Sequence, residues 1–215
     1  MPIMTGEQLA SKAVIIAQTV KTTYMWGSFG NTVSEAFITA KAAQYPKQYT
    51  QTAQAALRSL IGLKVWAFDC VGLIKGLLWG WVGDASKTYG GGKYASNTVP
   101  DTTSEGMIKL CAGVSTNFTN IEIGEAIWKQ GHIGIYVGEG KAVECTPSWK
   151  NGAQITAVGN ITSISGIPAT TWTSHGKLPW VDYSYSDTAD YKALYEAEKA
   201  AHSALKHKML ELINN

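Results

Sequence analysis

An apolar segment that begins at Asp69 constrains the fold of this chain more than any other part of its sequence. Its apolar residues recur at the spacing of an α-helix: Val71, Ile74, Leu77, Leu78 and Trp81. A helix this apolar has almost no face for solvent, so it must lie in the core and be covered by other layers. Asp69 belongs to the residue types that cap helix N-termini, which puts Cys70 in the first helical turn.

From Ala126 onwards the hydrophobic period changes to two, which indicates β-strands. Residues 132–137 and 142–146 flank the sequence Gly-Glu-Gly-Lys at 138–141, and this pattern predicts a β-hairpin. Further short strands are predicted between Gln154 and Tyr183. The second half of the chain is therefore expected to contain most of the sheet.

Helices are predicted in three parts of the N-terminal half besides the apolar one. Thr5 and Gln8 have the spacing of a capping box, and the apolar stripe that follows them runs at helical spacing as far as Tyr24. Residues 33–62 contain polar helical pieces separated by a proline. A shorter helix is predicted over 104–112, after a glycine-rich surface loop.

The C-terminal part of the chain has a different pattern from the rest. A polar linker is followed by an apolar stripe from Tyr191 to Leu212, which predicts an amphipathic helix. We expect a catalytic domain over residues 1–183, and a linker with this helix over residues 184–215. The helix stripe is expected to pack against the domain or against a second copy of the chain.

Composition excludes several classes of function. The net charge of the 215 residues is only +2 and the basic residues are scattered, so nucleic acid is not an expected partner. The apolar stretches are too short for a membrane span, and the N-terminus lacks the pattern of a secretory signal. Three distant cysteines suit neither a disulfide framework nor a zinc site, so we expect synthesis in the cytoplasm, no metal and no cofactor.

Cys70 is the strongest candidate for a catalytic residue. A thiol attacks as its thiolate, and the free N–H groups and dipole of a helix N-terminus favour the anion. The same N–H groups can stabilise an oxyanion, and Gly72 is expected to let a substrate backbone approach. The alternative interpretation is that Cys70 is a small buried apolar residue.

His132 and Glu144 are the candidate base and the group that orients it. A three-residue hairpin loop, with Val137 opposite Lys141, would put Glu144 opposite Gly134 and diagonal to His132. A two-residue loop would put the histidine and the glutamate on opposite faces. The alternative is a surface histidine and a solvated strand glutamate.

Three motifs in this order resemble the NlpC/P60 cysteine peptidases. Residues 68–74, Phe-Asp-Cys-Val-Gly-Leu-Ile, resemble the family's nucleophile motif. Residues 124–128 and 131–138 resemble its core strands and catalytic histidine, and Tyr-Met-Trp-Gly at 24–27 resembles its N-terminal element. Each motif is weak alone, but the ordered set covers about residues 5–183.

The resemblance implies an α+β fold of papain-like type, in which the nucleophile helix packs on a central antiparallel sheet. It also implies hydrolysis of peptidoglycan stem peptides, typically at a γ-D-glutamyl bond, by a triad of Cys70, His132 and Glu144. The implied residues that bind substrate are Tyr24, Trp26, Asp69 and Gly72, with Asp69 contacting a free amine.

The chain departs from the family pattern at three points. Val71 follows the cysteine where a serine is usual, and Glu144 replaces the usual histidine, asparagine or glutamine. The stretch between Trp26 and Cys70 is longer than usual, and we expect its helices to cover one rim of the substrate groove.

The resulting hypothesis is a phage lysin that is made in the cytoplasm and reaches bacterial peptidoglycan after release. Residues 174–180 also resemble the end of lysin catalytic domains from phages of clostridia-like hosts. An N-acetylmuramoyl-L-alanine amidase remains open, because the same catalytic residues could cut a different amide. A binding or assembly module without hydrolysis, which oligomerises through the C-terminal helix, also remains open.

Overall fold

The computed structural model describes residues 1–184, which form a mixed α+β structure as predicted. The α-helices are α1 (Gly6–Thr19), α2 (Glu35–Gln44), α3 (Gln51–Arg58), α4 (Cys70–Leu78) and α5 (Ser104–Leu110). Single turns of 3₁₀ type occur at Thr88–Gly91 and Phe118–Asn120. The predicted C-terminal helix and its linker lie outside the described residues.

The strands, in chain order, are β1 (Met4–Thr5), β2 (Thr22–Tyr24), β3 (Phe29–Thr32), β4 (Trp66–Phe68), β5 (Ala112–Ser115), β6 (Ala126–Lys129), β7 (His132–Gly138), β8 (Lys141–Cys145), β9 (Ala153–Val158), β10 (Ala169–Thr170), β11 (Ser174–Lys177) and β12 (Val181–Asp182). The largest sheet has the order β10-β9-β8-β7-β6-β11-β5. All its neighbours are antiparallel except β9 and β10.

Two small sheets complete the described structure, and the sequence patterns did not predict them. Strands β2, β4 and β3 form one sheet, and β1 and β12 form the other. Strands of two to four residues are too short to establish a period of two. The prediction that the first helix reaches Tyr24 is wrong: α1 ends at Thr19, and Tyr24 lies in β2 beside Phe68.

The apolar helix α4 lies in the main core, as its sequence predicts. All nine of its residues are buried, and it packs together with α1 on one face of the large sheet, against β7 and β8. Phe118, Tyr136 and Trp172 belong to a second apolar cluster formed by the sheet. The helix ends at Leu78 rather than Trp81, because Gly80 follows with a φ of +90°.

The helices α2 and α3 confirm the helical pieces predicted over residues 33–62. They form an insertion between β3 and β4, which are themselves paired antiparallel strands. Ile38, Tyr49 and Leu57 of this segment bury a small cluster with Met25 and Ala67. Within residues 1–184, no helix is both long and apolar enough to cross a membrane.

Candidate active site

Cys70 is the first residue of α4 and follows directly on the buried strand β4. Asp69 caps the helix, as predicted: one carboxylate oxygen accepts a hydrogen bond from the N–H of Gly72. The other oxygen accepts from the N–H of Gly27 at 2.7 Å. The cap therefore fixes both the start of the helix and the loop after β2 that carries Trp26.

His132 and Glu144 form a direct pair on the large sheet. The Nε2 atom of the histidine lies 2.6 Å from a carboxylate oxygen of the glutamate, and the two side chains are 14% and 2% exposed. Glu144 lies opposite Gly134, which confirms the predicted register. The interpretation of a solvated histidine and glutamate is therefore wrong.

The hairpin has the predicted register, but its loop differs from the predicted three-residue loop. Gly138 pairs with Lys141 across a two-residue loop, in which Glu139 and Gly140 both have positive φ. A two-residue loop alone would have separated the pair. An irregularity at Val137 adds one residue to β7, and this bulge returns Glu144 to the face of His132.

Two residues that the sequence patterns did not identify support the pair. The hydroxyl of Thr170 donates to the second oxygen of Glu144 at 2.7 Å. Burial favours the neutral acid, but the hydrogen bonds from His132 and Thr170 outweigh it and hold the pKa of Glu144 below its ordinary value. The ring of Trp172 stacks on the imidazole, with centroids 5.4 Å apart and planes 15° apart.

The thiol of Cys70 lies beside the histidine strand. The backbone N–H of Ile133, the residue that follows His132, acts on this thiol and favours its thiolate form, which lowers the pKa of Cys70. Because Nε2 of the imidazole is bound by Glu144, Nδ1 is the ring nitrogen that remains for a thiol. Cys70 and the His132–Glu144 pair therefore lie on α4 and on the β7–β8 hairpin, two elements that pack against each other.

The electrostatic setting of Cys70 differs from the expectation. Burial, assisted by the charge of Asp69, raises the pKa of Cys70 to about 12. The N–H groups of Ile133, Val71 and Cys70 favour the thiolate, but their effect is smaller. The thiol is therefore protonated at neutral pH, and a base must remove its proton when it attacks.

Cys70 opens into a groove of about 660 Å³. Six aromatic side chains line it: Tyr24, Trp26, Phe29, Tyr45, Tyr89 and Tyr94. Lys41 and Gln44 of α2, with Tyr45 directly after the helix, contribute one side, which agrees with the prediction that the inserted helices cover a rim of the groove. Residues 101–105 and Gly131, next to His132, also line the groove.

The four residues predicted to bind substrate differ in their positions. Tyr24 and Trp26 line the groove, and Trp26 is 43% exposed. Burial, assisted by the nearby charge of Asp69, raises the pKa of Tyr24 well above its ordinary value, so its phenol stays protonated. Asp69 also lines the groove, although both its oxygens already accept backbone hydrogen bonds.

The predicted role of Gly72 is wrong. A Cβ atom at this position would lie 1.8 Å from the carbonyl oxygen of Ser28. The absence of a side chain therefore allows a close approach between two parts of the protein itself, and no space is left there for a substrate.

The remaining cysteines and histidines have other positions. Cys145 is fully buried and its thiol contacts the carbonyl of Phe68, as expected for a core residue. Cys111 is partly buried, and all three cysteines are free. In His175 of β11, Nδ1 is paired with the buried carboxylate of Glu125, and Nε2 contacts the carbonyl of Asn117 at 2.9 Å.

Comparison with protein-family models, with curated proteins and with solved structures finds no match to this chain. What the residues themselves define is a candidate cysteine-nucleophile site with a paired histidine and carboxylate. Its assignment to a particular enzyme class depends on the motifs and the geometry described above.

Proposed function

We propose that the protein is a papain-like cysteine amidohydrolase of the NlpC/P60 type that cleaves peptidoglycan stem peptides and so lyses cell walls. The observation that carries this proposal is the position of Cys70: it starts a buried helix, lines a groove, and its helix packs against the strand that carries a histidine held by a buried carboxylate. The arrangement of α4 on the antiparallel strands β7 and β8 is the one that a papain-like fold requires.

The reaction begins with the protonated thiol. His132 takes the thiol proton through Nδ1 while the sulfur attacks the scissile carbonyl carbon, and Glu144 stabilises the imidazolium that forms. The N–H groups at the start of α4 bind the oxyanion. The imidazolium then protonates the leaving amine as the C–N bond breaks, which leaves a thioester on Cys70.

Hydrolysis of the thioester returns the enzyme to its starting state. Neutral His132 takes a proton from water, the hydroxide attacks the thioester carbonyl, and the sulfur leaves and recovers the proton from His132. The product is a free carboxylic acid. Each step uses the same base, so the single His132–Glu144 pair serves both halves of the reaction.

The groove suits a peptide substrate with polar and charged groups. Aromatic side chains with polar ends cover its walls, and lysine and acidic residues lie among them. The γ-D-glutamyl bond is the scissile bond that the resemblance implies, and it is the one we propose.

Digestion of purified cell walls tests the proposal. We expect the wild-type protein to release new amine termini, and the Cys70→Ala variant to lose at least about a thousandfold of this activity. Cys111→Ala is the matched control, since Cys111 lies outside the groove, and it should retain activity. If the Cys70→Ala variant still lyses cell walls, the assignment of Cys70 as the nucleophile is refuted.

Mass spectrometry of the released fragments identifies the bond. Cleavage at the γ-D-glutamyl bond leaves a short peptide that ends in D-glutamate. A free L-alanine terminus on an intact stem peptide would instead establish the amidase activity.

A further inference from the structure

Five charged side chains line the groove, and four of them form an ion pair or a hydrogen bond to the backbone. Lys75 is paired with Asp101 and also contacts the carbonyl of Thr102 at 3.1 Å. Asp69 accepts two backbone hydrogen bonds, and Glu105 accepts from the N–H of Gly131 at 2.7 Å. Among the charged groove residues that the structure describes, Lys41 is the one that has neither an ion-pair partner nor a hydrogen bond to the backbone.

Lys41 is held over the groove by its neighbours on α2. Its ammonium lies 5.5 Å from the ring centroid of Tyr45 and 5.7 Å from that of Phe37. Within residues 1–184 its one hydrogen bond goes to the side-chain oxygen of Gln44, at 3.1 Å. An ammonium has three donors, so two remain for a ligand.

The surroundings of Lys41 favour an anion. Burial lowers the pKa of Lys41 below its ordinary value, although Asp69 and Asp101 oppose the shift. An anionic ligand would restore the interaction that a half-buried cation loses when it leaves water. Lys41 and Cys70 line the same groove, so a ligand in the groove can contact both side chains.

We infer that Lys41 binds the free α-carboxylate of the residue whose side-chain carbonyl is attacked by Cys70; this inference rests on the proposed function. In a γ-linked D-glutamyl residue the scissile carbonyl belongs to the side chain, so the α-carboxyl of the same residue stays free. A D-glutamyl substrate therefore presents an anion near the bond to be cut. A D-isoglutaminyl substrate, with a carboxamide in that place, presents none.

Binding to a Cys70→Ala background separates this inference from catalysis. The probes are L-alanyl-γ-D-glutamyl-L-lysine and the same peptide with D-isoglutamine, titrated by calorimetry into the full chain. We expect the glutamyl peptide to bind about tenfold more tightly, the effect of one charged hydrogen bond. Adding Lys41→Gln should abolish this difference, and Lys41→Arg should keep it.

Lys47→Gln is the matched control, because Lys47 is an exposed lysine of the same insertion that does not line the groove. This substitution should leave the preference for the glutamyl peptide over the isoglutaminyl peptide unchanged. Equal binding of the two peptides, no binding of either, or a preference that survives Lys41→Gln would each overturn the inference.

The wall digestion gives an independent result for the proposed function. If the protein prefers the glutamyl peptide but does not cleave walls, the proposed hydrolysis is refuted and the proposed carboxylate-binding role of Lys41 is supported. If the protein cleaves walls but binds the two peptides equally, the proposed role of Lys41 is refuted and the proposed hydrolysis is supported.

Discussion

At the scale of single residues, Cys70 and Glu144 respond differently to burial. The glutamate is buried but receives hydrogen bonds from His132 and Thr170, so its charged form is favoured. The thiol receives backbone hydrogen bonds, but these do not outweigh its burial and the nearby charge of Asp69. The free protein therefore holds a neutral thiol beside a fixed carboxylate.

Alkylation of Cys70 tests this protonation state. Only the thiolate reacts, and with a pKa of about 12 its fraction increases about tenfold per pH unit over the whole range below that value. We expect the rate of modification by iodoacetamide, followed by peptide mass spectrometry, to rise steadily from pH 6 to pH 10. A plateau between pH 6 and pH 8 would instead indicate a preformed thiolate–imidazolium pair.

Substitution of Glu144 tests the role of the carboxylate. Glu144→Gln keeps the size of the side chain but removes the charge that stabilises the imidazolium, so kcat should fall roughly a hundredfold. Glu139→Gln, in the exposed turn of the same hairpin, should have no such effect. The orienting role is excluded if kcat and the pH–rate profile of Glu144→Gln match the wild type.

At the scale of elements, the start of α4 is joined to the loop after β2 by close backbone contact. Asp69 binds the N–H of Gly27, and the carbonyl of Ser28 lies where a side chain at position 72 would be. This contact holds Tyr24 and Trp26 at the groove beside Cys70. The glycine of the nucleophile motif thus has a structural role.

Replacement of Gly72 tests this packing. Gly72→Ala forces the helix and the loop apart, so we expect the free energy of unfolding to fall by about 3 kcal/mol, the upper end of the usual cost of overpacking. Gly62→Ala is the comparison: its Cβ meets nothing within 4 Å, and its positive φ alone should cost about 1 kcal/mol. Equal effects in chemical denaturation would show that the close approach is unimportant.

At the scale of the whole molecule, the groove combines three parts of the chain. Cys70 comes from α4, His132 and Glu144 from the β7–β8 hairpin, and one rim from the inserted helix α2. Since β3 and β4 are antiparallel neighbours, a short turn could join them directly. The insertion is therefore separable in principle from the catalytic residues.

Excision of residues 34–63, replaced by a short glycine-containing turn, tests this separation. The variant loses Lys41 and Tyr45 but keeps all three triad residues, so we expect KM to rise at least about tenfold while kcat changes little. Circular dichroism and a thermal unfolding curve establish that the variant is folded. A folded variant that loses kcat with unchanged KM would contradict this division of roles.

The sequence by itself determined the local features of this protein. The apolar spacing of α4, its cap at Asp69, the capping box of α1 and the alternation of the β7–β8 hairpin each depend on residues within one turn or one strand pair. Such patterns can be recognised in the sequence because the residues that cause them are neighbours in the chain. They were enough to predict an α+β fold and the pairing of His132 with Glu144 on one face of the hairpin.

The tertiary structure alone decided how those residues are supported. Thr170 and Trp172 reach the His132–Glu144 pair from a distant segment, and the bulge at Val137 compensates for an unexpected hairpin loop. The protonation of Cys70 and the role of Gly72 also depend on burial and on contacts with distant parts of the chain. Spacing along a sequence does not encode such contacts, because burial and close approach arise only when separate elements pack together.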